Sequence, residues 1–126
     1  MAKILVVDDN EQVRTTTCRI LETAGHEARE GDARTAVETM QTMKPDLVLT
    51  DIVMPDKMGT DLIRDLRRAG YDGAIIAMSG GGGATGPSDL LEKARALGAN
   101  ECVSKPFHRT DLLAKVAAVL EQRQGS

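Results

Sequence analysis

Short apolar runs alternate with stretches of helical period along the chain. Lys3 leads the run Ile4-Leu5-Val6-Val7, closed by Asp8 and Asp9, which predicts a strand buried on both faces. Helical spacing follows from about Glu11 to Ala24, with Asp9 or Asn10 as N-cap and Gly25 just past the end. Its inward positions read as Val13, Thr17, Ile20, Leu21 and Ala24. A weak strand, His26–Glu30, precedes a helix from about Ala33 to Met43 capped by Asp32. Pro45 breaks that pattern, and Leu47–Thr50 is a third strand closed by Asp51. Pro55 and Gly59 mark residues 51–59 as a loop. A helix over Thr60–Ala69, a strand over Ala74–Met78 and a loop from Ser79 to Gly86 come next. The chain closes with a short helix, Pro87–Leu97, a short strand, Glu101–Val103, and a helix, Arg109–Gln122, with Leu112, Leu113, Val116 and Leu120 on one face.

These are five β-α units with short connections. They imply an α/β fold with a parallel sheet, right-handed crossovers and helices on both faces. Five units suggest a flavodoxin-like doubly wound (βα)5 sheet, although pattern alone leaves other strand orders open. The 126 residues suit one domain with its own core. That core is aliphatic, since Tyr71 and Phe107 are the only aromatics.

A net charge of -3 gives no electrostatic footprint for nucleic acid. Arg64, Arg67 and Arg68, at i, i+3 and i+4, read as a solvated helix face. No apolar stretch is long enough to span a membrane, and no signal peptide precedes the first strand. Cys18 and Cys102 give no disulfide framework. The expectation is a cytoplasmic protein with reduced thiols.

Function in an open α/β sheet collects at the carboxyl ends of its strands. Asp8 and Asp9 follow the first strand, Asp51 the third, Ser79 the fourth and Lys105 the fifth. Brought together, they form an acidic site with one cation beside it, suited to a divalent metal and a phosphoryl group.

In this order the motifs resemble the receiver domain of bacterial response regulators over about residues 2–122. Asp51-x-x-Met54-Pro55-x-x-x-Gly59, Lys105-Pro106-Phe107 and Gly98-Ala99-Asn100-Glu101 carry the resemblance further. It implies a single receiver domain over 1–126 with strand order 2-1-3-4-5, the order of the chemotaxis member of the family. It also implies that Asp51 accepts a phosphoryl group from a sensor histidine kinase or phosphotransfer protein. Mg²⁺ would be held by Asp9 and Asp51, by Asp8 through a water, and by the backbone carbonyl of Val53. Lys105 and Ser79 would each meet a phosphoryl oxygen, and the Lys105-Pro106 bond is usually cis. The kinase usually docks on the first helix, where Arg14, Thr15 and Cys18 would help choose it. A downstream protein would use the face of the fourth helix, fifth strand and fifth helix. The resemblance is to a signalling switch rather than a turnover enzyme, either a stand-alone receiver, which Met1 and the short tail favour, or a domain excised from a longer chain.

One departure is Cys102, where many receivers carry a Tyr or Phe that swings inward; a small half-buried thiol is the reading here. Four successive glycines, Gly80–Gly83, give the loop after Ser79 unusual backbone freedom. Gly81, Gly83 and Gly86 spell G-x-G-x-x-G, which raises a nucleotide-binding enzyme as a remote alternative. The motif follows the fourth strand, however, where the dinucleotide fingerprint follows the first. A phosphorylation-independent interaction module is the nearer alternative. His26 and His108 are isolated and make no metal site.

Overall fold

A computed structural model describes residues 2–55, 57–80 and 87–124. Five strands, β1 (Lys3–Val7), β2 (Glu27–Gly31), β3 (Leu47–Asp51), β4 (Ala74–Gly80) and β5 (Glu101–Lys105), alternate with five helices. These are α1 (Glu11–Thr23), α2 (Ala36–Met43), α3 (Gly59–Arg68), α4 (Pro87–Leu97) and α5 (Arg109–Gln124). The strands form one sheet in the order β2-β1-β3-β4-β5, and every pairing is parallel. This is the doubly wound order the resemblance implied.

Alternation along the strands divides the core between two faces. Leu5, Val7, Val48, Ile75, Ala77 and Cys102 pack with Ala36, Met40, Leu62, Ile63, Leu66 and Ala94 of α2, α3 and α4. Ile4, Val6, Leu47, Leu49, Ile76, Met78 and Val103 pack with Leu21, Leu112, Val116 and Val119 of α1 and α5. All five β3 residues are buried, as the central strand of a sheet covered on both sides must be.

Several expectations need correction. On α1, Cys18 is buried and Ala24, the C-cap, is exposed, so the inward stripe runs through Thr17, Cys18 and Leu21. The α2 helix starts at Ala36 rather than Ala33. The Asp32 carboxylate takes the Arg34 N–H (2.8 Å) and its carbonyl the Thr35 N–H (3.1 Å), closing a turn before the helix. Strands β4 and β5 run two residues further than read, because their ladder continues through Ser79↔Ser104 and Gly80↔Lys105. His26 stands apart from the carboxylate cluster, and its Nδ1 accepts the Ala2 N–H. Cys102 is buried, at 7% exposure, rather than half-buried.

Arg67 departs most from its expected role. Its guanidinium donates to the carbonyls of Tyr71, Gly73 and Gly98 and to Asn100 Oδ1, at 2.7–3.3 Å, and it lies over the Tyr71 ring. Asn100 Oδ1 also accepts the Ile75 N–H. Arg67 thus ties the end of α3 to the starts of β4 and β5, at the edge of the sheet opposite Asp51.

Candidate functional site

The parallel register assembles the site. Val7 pairs with Thr50, and Asp51 with Met78. Ser79 lies one step beyond Met78, and Gly80 pairs with Lys105. The side chains that follow four separate apolar runs therefore share one sheet edge. Carboxylate oxygens of Asp8, Asp9 and Asp51 lie within 4.8 Å of one another.

Asp8 is 2% exposed and held at every acceptor. Its Oδ2 receives Lys105 Nζ at 2.8 Å, its Oδ1 the Asn10 N–H at 2.9 Å, and its carbonyl Nη1 of Arg14 at 2.8 Å. Asn10 caps α1 through its side chain, which takes the Val13 N–H. Asp9, between them, is exposed. Asp51 is buried; its Oδ1 accepts the Ile52 N–H at 2.9 Å and its Oδ2 lies 3.2 Å from Lys105 Nζ.

Burial pushes the Asp51 carboxyl above the ordinary aspartate range; Lys105 opposes this shift and the Asp8 charge adds to it. Burial pulls the other way on Lys105. The hydrogen bond to Asp8 and the charges of Asp51 and Asp8 outweigh it, so the ammonium is held above its ordinary value. Lys105 thus pairs with two of the three clustered carboxylates, leaving unbalanced negative charge in the cluster. The donor set is all oxygen, and ligands across a Mg²⁺ ion lie about 4 Å apart, so the cluster fits a hard divalent cation.

Gly59 makes the loop above this site possible. A Cβ there would collide with the Asp51 carbonyl, and the Gly59 N–H closes the loop onto the Ile52 carbonyl at 2.6 Å. Val53, whose backbone carbonyl was read as a ligand, leaves its side chain 56% exposed beside the site. Ser79 is 2% exposed. The Lys105-Pro106 bond is cis. The readings placed on Gly81–Gly86 fall outside the described residues.

Two concavities flank the cluster. A cleft of about 570 Å³ runs from Asp8 and Asp9 past Arg14 and Glu30 to Met54 and Pro55. A groove of about 670 Å³ lies between α1 (Val13, Thr16, Ile20) and Pro106-Phe107. Of the α1 residues read as choosing a partner, Cys18 is buried, and burial pushes its thiol up to about 11. Arg14 and Thr15 both turn their side chains toward Glu30. Sequence reading missed this role for Arg14 because its partners lie on β2 and in the backbone of Asp8, and no local spacing signals either.

The family model described as "Response regulator receiver domain" matches residues 4–117. The chain is 38% identical over 120 residues to the DNA-binding transcriptional regulator NtrC of Azospirillum brasilense, covering 94% of this chain and 24% of that one. It is 37% identical over 117 residues to the CAI-1 autoinducer sensor kinase/phosphatase CqsS of Vibrio cholerae, covering 92% and 17%. Among solved structures, chemotaxis protein CheY4 of Vibrio cholerae superposes with a TM-score of 0.84 at 28% identity, covering 94% of this chain and 98% of that one. NtrX of Brucella abortus superposes with a TM-score of 0.89 at 28% identity, covering 98% and 28%. The chain spans about a quarter of the NtrC relative and a sixth of the sensor kinase.

Proposed function

This chain belongs to the response regulator receiver domain family, and on that premise we propose that it is a Mg²⁺-dependent phosphoacceptor whose acceptor is Asp51. The observation that carries the reading is the convergence of Asp8, Asp9 and Asp51 within 4.8 Å, with Lys105 against two of them. The donor would be a phosphohistidine on a sensor kinase or phosphotransfer protein. An Asp51 carboxylate oxygen attacks phosphorus, the P–N bond breaks, and the imidazole leaves with the bonding pair and takes up a proton.

A carboxylate is a weak nucleophile that phosphoryl oxygens repel, so the reaction depends on position and charge. Bound Mg²⁺ would supply charge neutralisation, held by Asp9, Asp51 and the Val53 carbonyl, with Asp8 acting through a water. Ile52 N–H fixes the Asp51 carboxylate. Lys105 is held at the site by Asp8 and offers its ammonium as a point charge to a phosphoryl oxygen. Ser79, at the end of β4, would donate its hydroxyl to another oxygen. The groove between α1 and Pro106-Phe107 opens beside Lys105 and offers an apolar seat for the donor protein. Output would pass to a protein partner through the α4, β5 and α5 face, as a shift in the population of an active conformation.

No described helix is long and apolar enough to cross a membrane. We read the chain as a receiver unit acting in the cytoplasm through protein contacts. The test is intact mass after incubation with acetyl phosphate. A phosphoryl adduct that requires Mg²⁺ and is absent from Asp51→Asn is the expected result. No adduct from acetyl phosphate or from a panel of kinases would leave the phosphorylation-independent interaction module as the reading.

A further inference from the structure

We propose that Arg14 is a positioning residue for the cation site, holding the Asp8–Asp9 corner to the end of β2 through Glu30. The inference rests on the reading of Asp8, Asp9 and Asp51 as Mg²⁺ ligands. Arg14 Nη1 donates to the Asp8 carbonyl at 2.8 Å while its Nε donates to Glu30 Oε1 at 2.7 Å. Thr15 Oγ1 donates to the same Glu30 oxygen at 3.3 Å. The Arg14 side chain is only 23% exposed, although it stands near the start of a surface helix.

The rest of the corner explains why such a brace matters. The Asp8 carboxylate is committed to Lys105 and to the Asn10 N–H. The Asn10 carbonyl takes the Arg14 N–H at 2.9 Å and its side chain takes the Val13 N–H. Asp9 is the exposed residue between these anchors, so its carboxylate is aimed by the backbone on either side. Arg14 is the side chain that fixes the Asp8 carbonyl, next to Asp9 in the chain. Its forked donors reach the carbonyl and the carboxylate together, which a lysine ammonium on a single stem does not reproduce. Groups that orient metal ligands from behind commonly change metal affinity by about 10- to 100-fold when removed.

Charge and position predict opposite signs, which makes the inference testable. Arg14 carries the positive charge that lines the cleft with Asp8, Asp9, Glu30 and Asp32. If Arg14 acted only through its charge, removing it would tighten Mg²⁺ binding. If it positions the ligands, removing it weakens binding.

Mg²⁺ affinity is read from the rise in unfolding midpoint by circular dichroism across a Mg²⁺ titration, on wild type, Arg14→Gln, Arg14→Lys and the charge-balanced pair Arg14→Gln/Glu30→Gln. Unfolding in EDTA shows that each variant is folded. The expected result is affinity weakened about tenfold in all three variants, with shifted Asp9 and Asn10 amide resonances in the metal-free state. Unchanged or tighter binding in Arg14→Gln, or recovery in the charge-balanced pair, overturns the inference and leaves the Mg²⁺ reading standing. Wild type that gains no stability from Mg²⁺ overturns both. Should Arg14→Gln fail to fold, Arg14→Lys decides: wild-type affinity there refutes positioning by the fork.

Discussion

Asp51→Asn should make the metal-free protein more stable, although it removes the proposed acceptor. Asp8 and Asp51 have carboxylate oxygens no more than 4.8 Å apart. At an effective dielectric of about 20 that repulsion is about 3.5 kcal/mol. Lys105 Nζ, 3.2 Å from Asp51 Oδ2, returns about 5 kcal/mol. Asp9 is exposed and adds about 1 kcal/mol of repulsion at water-like screening. The charge terms nearly cancel, and the cost of burying the Asp51 carboxylate, several kcal/mol even after relaxation for a fully buried ion, is left largely uncompensated.

Asn keeps the shape without the charge. The expected gain is about 1–2 kcal/mol, or about 4–8 °C in unfolding midpoint for a chain of this length. The sign with pH follows from the raised Asp51 carboxyl. Such a group favours the folded state below its unfolded value, near 3.8, and loses that contribution as pH rises through the raised folded value. The advantage of Asp51→Asn should therefore be small in acid and grow to its full size by neutral pH. Mg²⁺ should reverse the order: a hundred times its Kd stabilises wild type by about 2.7 kcal/mol and Asp51→Asn much less. The assay is urea or thermal unfolding followed by circular dichroism, since the chain has no tryptophan. Asp51→Asn that is less stable than wild type in EDTA at neutral pH, or equal stabilisation of both by Mg²⁺, would refute the reasoning.

Lys105→Ala should destabilise the metal-free protein by about 3 kcal/mol, because it strands the buried Asp8 carboxylate beside Asp51; urea midpoints with and without Mg²⁺ check this, and Mg²⁺ should recover part of the loss. Gly59→Ala should cost about 3 kcal/mol or more, since its Cβ would meet the Asp51 carbonyl and the backbone of Ile52; an unfolding midpoint within a degree of wild type would count against the packing described. Arg67→Ala should cost about 2–3 kcal/mol and Arg67→Lys most of that, because no ammonium reproduces the fork onto Tyr71, Gly73 and Gly98; amide exchange at Ile75 and Asn100 should quicken in both. The His26 imidazole is held below its ordinary value, first by burial and then by the chain amino terminus, so its contribution is present above about pH 6.5 and fades as pH falls below that; His26→Gln should flatten this part of the stability profile.

The sequence by itself determined the class of fold and the candidate chemistry. Apolar runs such as Ile4–Val7 and Leu47–Leu49 can only be strands covered on both sides, and covering them takes the amphipathic helices that lie between. Because parallel strands all point one way, the residues that follow them, Asp8, Asp51, Ser79 and Lys105, must gather at one edge of the sheet. The order of the strands came from the family resemblance, because local periodicity is the same for every order.

Tertiary structure alone decided contacts between distant segments. Asp8 and Lys105 are 97 positions apart, and their 2.8 Å pairing depends on β1 and β5 flanking the β3-β4 pair. Arg67, read as a solvated charge, has the composition of a surface residue, and only the approach of Gly98 and Asn100 turns it into a brace. Arg14 likewise acts through Glu30, on the neighbouring strand. Even the choice between Cys18 and Ala24 on α1 turned on the rotation of the helix against β1, β2 and α5. Periodicity records which residues avoid water; the packing of elements determines which long polar side chains meet, because a guanidinium reaches partners that no local spacing encodes.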